Sequence, residues 1–332
     1  MTRLRFLLAT FATAALVFSF ATLRAATPPS SAPPSATPPS SAPPSTPPAA
    51  PRPPQRAPGR PRAPRLENRT AAVFGLGMHY LEGGAGHPVI FLHGLGAASE
   101  SWRATATTLA ADLRVLVPDQ IGFGASDKPL LDYSTTMLVD FLAEFMDDTG
   151  LEKASLVGHS MGGRVASLFA LRHPERVERL VLVSGAGYKP NYDPEVLRAL
   201  EFNTLDEAHR LLTLLYYDDA TRATDAAARK MFADRVRSGS GYTLGRMIDS
   251  YRRGEGFADD LSPITAPTLI VWGKEDEIAS PSAARTAHNQ IKGSSLILFE
   301  RCGHLPMVEA PDELTSALKR FLLDDTAPPG SR

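Results

Sequence analysis

The sequence predicts an α/β fold, a doubly wound and mostly parallel sheet carrying an inserted helical cap, and three observations point there. Short runs of apolar and β-branched residues recur at 89–94 (VIFLHG), 113–119 (LRVLVPD), 154–160 (ASLVGHS), 180–185 (LVLVSG), 268–273 (TLIVWG) and 295–300 (SLILFE). They are apolar along their length instead of alternating, as strands covered by helices on both faces of a parallel sheet must be. Helical stretches lie between them at 135–149 and 162–173, the second stopped by Pro174. The third observation is a break in this rhythm. Residues 185 to 267 separate two strands, whereas one crossover needs only about a dozen residues. Three helical segments at 194–202, 205–217 and 223–237 fill that interval, so it reads as a cap over about 188–258. The stripe Leu211, Leu212, Leu214, Leu215 and Tyr216 is expected to pack against the cap's own helices, with part of it available to line a pocket.

The chain of 332 residues is long enough to bury a large core. Its ends are read differently. Arg3 and Arg5 precede an uncharged apolar run at 6–23, followed by Ala25 and Ala26, the pattern of an export signal or an uncleaved N-terminal anchor over 1–26. Either outcome places the main domain in the periplasm or outside the cell. Residues 27–66 hold sixteen of the 29 prolines and a repeated TPPSSAPPS unit, with almost nothing to bury. Such a segment is expected to be a disordered, extended tether with a reach on the order of 100 Å. The main domain is expected over 67–325, with a disordered tail at 326–332.

Charge is unevenly spread. Residues 1–66 carry eight Arg and no Asp, Glu or Lys, so the net −1 of the chain divides into +8 there and −9 in the remainder. An acidic main domain is a poor partner for phosphate backbones, and nucleic-acid binding is not expected. The one cysteine, Cys302, rules out an intramolecular disulfide framework. Cys302-Gly303-His304 is too short a cluster for a metal site, and Cys302 reads as a small buried residue on a loop after a strand. The sequon Asn68-Arg69-Thr70 would matter only in a eukaryotic secretory host.

The chemistry concentrates at Gly158-His159-Ser160-Met161-Gly162, a G-x-S-x-G pattern set after a strand and before a helix. In this nucleophile elbow the chain turns so tightly that flanking side chains would clash, and the serine hydroxyl projects from the sheet edge. A serine hydroxyl is a weak nucleophile and needs a base oriented by a third group. Asp276 follows the strand at 268–273 and His304 follows the strand at 295–300. All three side chains thus leave the C-terminal edge of the sheet, where open α/β folds bind ligands. Glu275 and Glu277 should point elsewhere, and Asp193 is a distant alternative for the acid. His93, His159 and His173 lack the position of the base, and His159 is expected to be a structural side chain behind the elbow. The developing oxyanion needs donors, for which the backbone N–H groups of Leu95, in His93-Gly94-Leu95-Gly96, and Met161 stand in the right places. No dinucleotide fingerprint and no GK[ST] sequence is present, so no cofactor is expected.

Taken together, HGLG, PDQIGFGASDKP, GHSMGG, WGKEDEI and CGHLPMVEAPDEL resemble the α/β-hydrolase superfamily over roughly residues 70–323. The resemblance is nearest to monoacylglycerol-lipase-like esterases and the meta-cleavage-product C–C hydrolases, both of which carry helical caps. It implies Ser160, Asp276 and His304 as the triad and Leu95 with Met161 as the oxyanion donors. Dehalogenases and epoxide hydrolases of the superfamily have Asp where Ser160 stands, which disfavours those activities. Meta-cleavage hydrolases usually have Asn where His159 stands. The expected function is that of an exported, cofactor-free serine hydrolase acting on a small or medium carboxylic ester through an acyl-enzyme. The alternatives are C–C, lactone or cofactor-free haloperoxidase-type chemistry on the same triad, or a low-turnover ligand-binding receptor. The expected partner is a small ester-like molecule, with residues 6–23 available for membrane anchoring if retained.

Overall fold

Eight strands form one sheet: β1 Glu67–Val73, β2 Leu76–Gly83, β3 Pro88–Leu92, β4 Arg114–Pro118, β5 Ala154–His159, β6 Val177–Val183, β7 Thr268–Gly273 and β8 Ser295–Phe299. The computed structural model describes residues 65–185, 194–256 and 258–323. The expected leader, tether and C-terminal tail therefore lie outside the described residues, apart from the last two tether positions. The strand order is β1-β2-β4-β3-β5-β6-β7-β8. β1 and β2 run antiparallel to their neighbours, and every pairing from β4–β3 to β7–β8 is parallel.

All six strands read from the sequence are present, with ends shifted by at most three residues. Side chains alternate between the two faces. Leu156, Leu180, Leu182 and Ile270 enter one core and Val157, Val181, Val183 and Val271 the other. The first core is covered by α2 Thr135–Asp148, α3 Met161–Arg172 and α9 Pro281–Gln290. The second is covered by α1 Arg103–Leu109 and α11 Pro311–Leu323, with α10 Pro306–Glu309 leading into the latter. Local chemistry starts these helices. The Ser134 hydroxyl accepts from Met137 N at α2, and Ser280 followed by Pro281 opens α9.

The β1–β2 hairpin was not read from the sequence. Its turn, Phe74-Gly75, has φ of +50° and +78°, the left-handed pair whose twist suits a two-residue hairpin. Phe-Gly lacks the Asn or Asp that usually marks such a turn, and β1 exposes four consecutive residues, so no burial pattern announces it.

The cap comprises α4 Pro194–Leu200, α5 Leu205–Leu215, α6 Asp219–Arg222, α7 Asp225–Ser238 and α8 Gly241–Arg252. A capping box opens α5, where Thr204 accepts from Glu207 N and Glu207 reaches back to the N-cap amide. Leu211 and Leu212 are buried with Val196, Phe202 and Ala228 in the cap's own core, and Leu214, Leu215 and Tyr216 pack against it. The last cap helix, α8, went unread because Gly241 and Gly245 weaken its helical signal. It buries Leu244, Met247, Ile248 and Tyr251 in the main core, so it fastens the cap to the sheet domain.

Candidate active site

The elbow is built by close approach of backbone to backbone. β5 ends at His159 and α3 begins at Met161, so Ser160 makes the whole turn, at φ +51° and ψ −114°. A Cβ on Gly158 would lie 2.3 Å from Gly162 O, and one on Gly162 would lie 2.3 Å from Leu92 O. Only glycine fits at either place. The Ser160 amide donates to Val183 O at 2.9 Å, which ties the strained turn to β6.

Three distant segments meet there. The Ser160 hydroxyl and His304 Nε2 are 3.0 Å apart, and His304 Nδ1 lies 3.0 and 2.9 Å from the two Asp276 oxygens. A carboxylate only accepts, so Nδ1 carries the proton and Nε2 offers a lone pair to the serine. Asp276 Oδ1 also accepts from Ile278 N at 3.0 Å and Ala279 N at 2.8 Å, which fixes the carboxylate in the turn after β7. Asp276 and His304 are both buried. Such a line can move the serine proton to the imidazole as Oγ attacks a carbonyl.

Neither Glu275 nor Glu277 takes the place of Asp276. Glu275 accepts from Cys302 N at 3.0 Å, and Glu277 is exposed. Asp193 lies outside the described residues. Cys302 is buried after β8, and burial together with the Glu309 charge pushes its thiol up to about 12. Among the described residues no group of three or more His, Cys, Asp or Glu is arranged to hold a metal ion, and no helix is long and apolar enough to cross a membrane.

The turn at 93–96 abuts the nucleophile, since a Cβ on Gly94 would come within 3.3 Å of Ser160 Cβ. Leu95, one candidate oxyanion donor, follows Gly94 in this turn, and Met161, the other, follows Ser160 directly at the start of α3. Sequence reading missed what holds the turn. Gln120 N donates to His93 Nε2 at 3.0 Å, and Gln120 Nε2 donates to His93 O at 2.8 Å. Asp119 accepts from Ser99 N at 2.6 Å and Ala125 N at 2.8 Å. Burial would raise the Asp119 carboxyl, but these amides hold it below its ordinary value. The motif PDQIGFG contained both residues without revealing their partners.

His159 sits behind the elbow, edge-on to the Trp102 ring, with its own ring 5.0 Å from that of His304. Its Nε2 donates to the His304 carbonyl at 2.9 Å. Burial lowers its pKa from 6.5 to about 3, so it stays neutral at ordinary pH. Burial likewise lowers His93.

The model of the alpha/beta hydrolase fold family matches residues 87–311. The chain belongs to the α/β-hydrolase family. It is 32% identical over 256 residues to a 2-hydroxymuconate semialdehyde hydrolase of Pseudomonas sp. strain CF600, covering 74% of this chain and 90% of that one. Among solved structures, it is similar to a meta-cleavage product hydrolase of Pseudomonas fluorescens IP01, with TM-score 0.72 and 30% identity over 76% of this chain and 97% of that one. It is also similar to a bacterial membrane phospholipase A, with TM-score 0.68 and 29% identity over 77% and 86% of the two chains.

Proposed function

We propose that this α/β-hydrolase is a serine hydrolase that cleaves a small or medium carboxylic ester through an acyl-enzyme. The observation that carries the proposal is the unbroken line from Ser160 Oγ through His304 to Asp276, with contacts of 3.0 and 2.9 Å at one sheet edge. In this reading Ser160 Oγ attacks the ester carbonyl while His304 Nε2 takes its proton. The Leu95 and Met161 amides receive the oxyanion, and the imidazolium, stabilised by Asp276, returns the proton to the departing alcohol. Water activated by the same imidazole then releases the acid.

An uncharged ester suits the cap's charge pattern. Arg198, Arg252 and Arg246 are ion-paired at the surface with Glu195, Glu201 and Asp132. The similarity to a phospholipase, which cleaves an ester, supports the same choice. A second reading, cleavage of a C–C bond in a 2-hydroxy-6-oxo-dienoate, is favoured by the similarity to hydrolases named for such acids and for meta-cleavage products, at 29 to 31% identity.

A fluorophosphonate probe should label the wild-type protein and leave Ser160→Ala unlabelled. Across p-nitrophenyl esters, kcat/KM should rise from acetate to butyrate or hexanoate and then fall, each buried methylene contributing about 0.8 kcal/mol until the pocket is full. Faster turnover of the dienoate than of every ester would transfer the assignment to C–C cleavage. A labelled Ser160→Ala protein would remove the serine mechanism altogether.

A further inference from the structure

Three consecutive amides and one carbonyl of the loop that carries His304 are held by the cap, by His159 and by the helix that follows the loop. The His304 amide donates to Leu215 O at 2.9 Å, at the end of α5 in the cap, and the His304 carbonyl accepts from His159. The amides on either side of it, Gly303 N and Leu305 N, both donate to one oxygen of Glu309, at 3.0 and 3.2 Å. The other oxygen of Glu309 accepts from Tyr217 N in the cap, at 2.8 Å. Gly303 has no room for a side chain, because a Cβ would lie 2.8 Å from Leu215 O and 2.9 Å from Tyr217 N. The exit of α5 is therefore pressed against the histidine loop, with the Glu309 carboxylate bridging the two.

Glu309 is half-buried at the end of α10 and joins no ion pair among the described residues. Its acceptor capacity goes to backbone amides. Resting on the serine-hydrolase reading above, we propose that Glu309 is a positioning residue, a clasp whose two oxygens hold the histidine loop and the cap's α5 exit in one register. Through them it keeps His304 Nε2 aligned on Ser160. What the clasp requires is reach and acceptor oxygens. Charge alone does not serve. The substitution Glu309→Gln would keep one acceptor in place for Gly303 and Leu305, whereas Glu309→Asp, one methylene shorter, would keep the charge and lose the reach.

The test compares Glu309→Gln, Glu309→Asp and Glu309→Ala in the full chain, by the rate at which a fluorophosphonate labels Ser160, well below each variant's Tm. The expected order is wild type, then Glu309→Gln, then the Asp and Ala variants, with Glu309→Ala slowed on the order of tenfold to a hundredfold, as misplacement of a catalytic group by an ångström produces. If Glu309→Ala does not fold, the Gln and Asp variants carry the same comparison. Equal labelling of all variants, with only Tm changed, would reduce Glu309 to a helix cap and overturn the clasp. Labelling of Glu309→Asp as fast as or faster than Glu309→Gln would overturn it too, by showing that charge is what matters. A folded wild type that is never labelled would instead remove the hydrolase reading on which the clasp depends.

Discussion

Asp276 is oriented by more than its partner histidine, and this sets what its replacement does. Its Oδ1 accepts from the Ile278 and Ala279 amides as well as from His304. In Asp276→Asn those amides would hold the side-chain oxygen and leave the NH₂ facing His304 Nδ1. Two donors cannot share that contact, so the imidazole must move its proton to Nε2, where it can no longer accept from Ser160. We expect kcat/KM to fall by about 10⁴-fold with little change in fold. Steady-state kinetics beside a circular-dichroism melt would check this, and a variant retaining more than about a tenth of wild-type activity would count against Asp276 as the orienting acid.

At the scale of elements, the strand–turn–helix at β5–α3 is stiff because backbone fills the space where side chains would go. Gly162→Ala would place its Cβ against Leu92 O and, at 2.8 Å, His93 O. Neither carbonyl can give way without moving β3 or the turn that flanks Ser160. A loss of about 3 kcal/mol is expected, near the upper end for overpacking, lowering Tm by on the order of 5–10 °C. Activity should fall with it. Gly245→Ala is the matched control, since this glycine lies within α8 with nothing inside 4 Å of the added methyl. Helix propensity alone should then stabilise by roughly 0.5–1 kcal/mol. Equal effects of the two substitutions in a thermal melt would contradict the elbow account.

For the whole molecule, two buried neutral histidines beneath the site make acid the direction of instability. With the His159 pKa at about 3 in the folded chain and 6.5 as its ordinary value, the unfolded chain binds a proton between those limits that the folded chain refuses. Stability is therefore complete above the ordinary value and is lost as pH drops below it, at a limiting slope of about 1.4 kcal/mol per pH unit. His93 acts in the same direction. Melts at about pH 7.5 and about pH 5.5 should show a lower Tm in the more acid buffer, and His159→Asn should reduce the difference. An identical Tm at both values would refute the burial argument.

The nucleophile, its turn and the strands that carry the triad were legible in the sequence because each is written in near neighbours. A glycine two residues before and two after a serine declares a tight turn, and an unbroken apolar run such as TLIVWG declares a strand buried on both faces, as all six of its residues are. The chain order Ser160, Asp276, His304 could be read from strand ends alone. The hairpin at Phe74-Gly75 and the helix α8 could not, since their local signals are weak and their burial comes from elements they meet later in folding. Nor could the supports of His304. His159 reaches the His304 carbonyl from 145 positions away, and Glu309 reaches the Tyr217 amide from 92 positions away. A turn is decided by sterics within a few bonds, whereas a hydrogen bond between remote segments exists only once sheet, loop and cap have packed together. That packing alone decided that the His159 ring meets the His304 carbonyl and that the Glu309 carboxylate meets the Tyr217 amide.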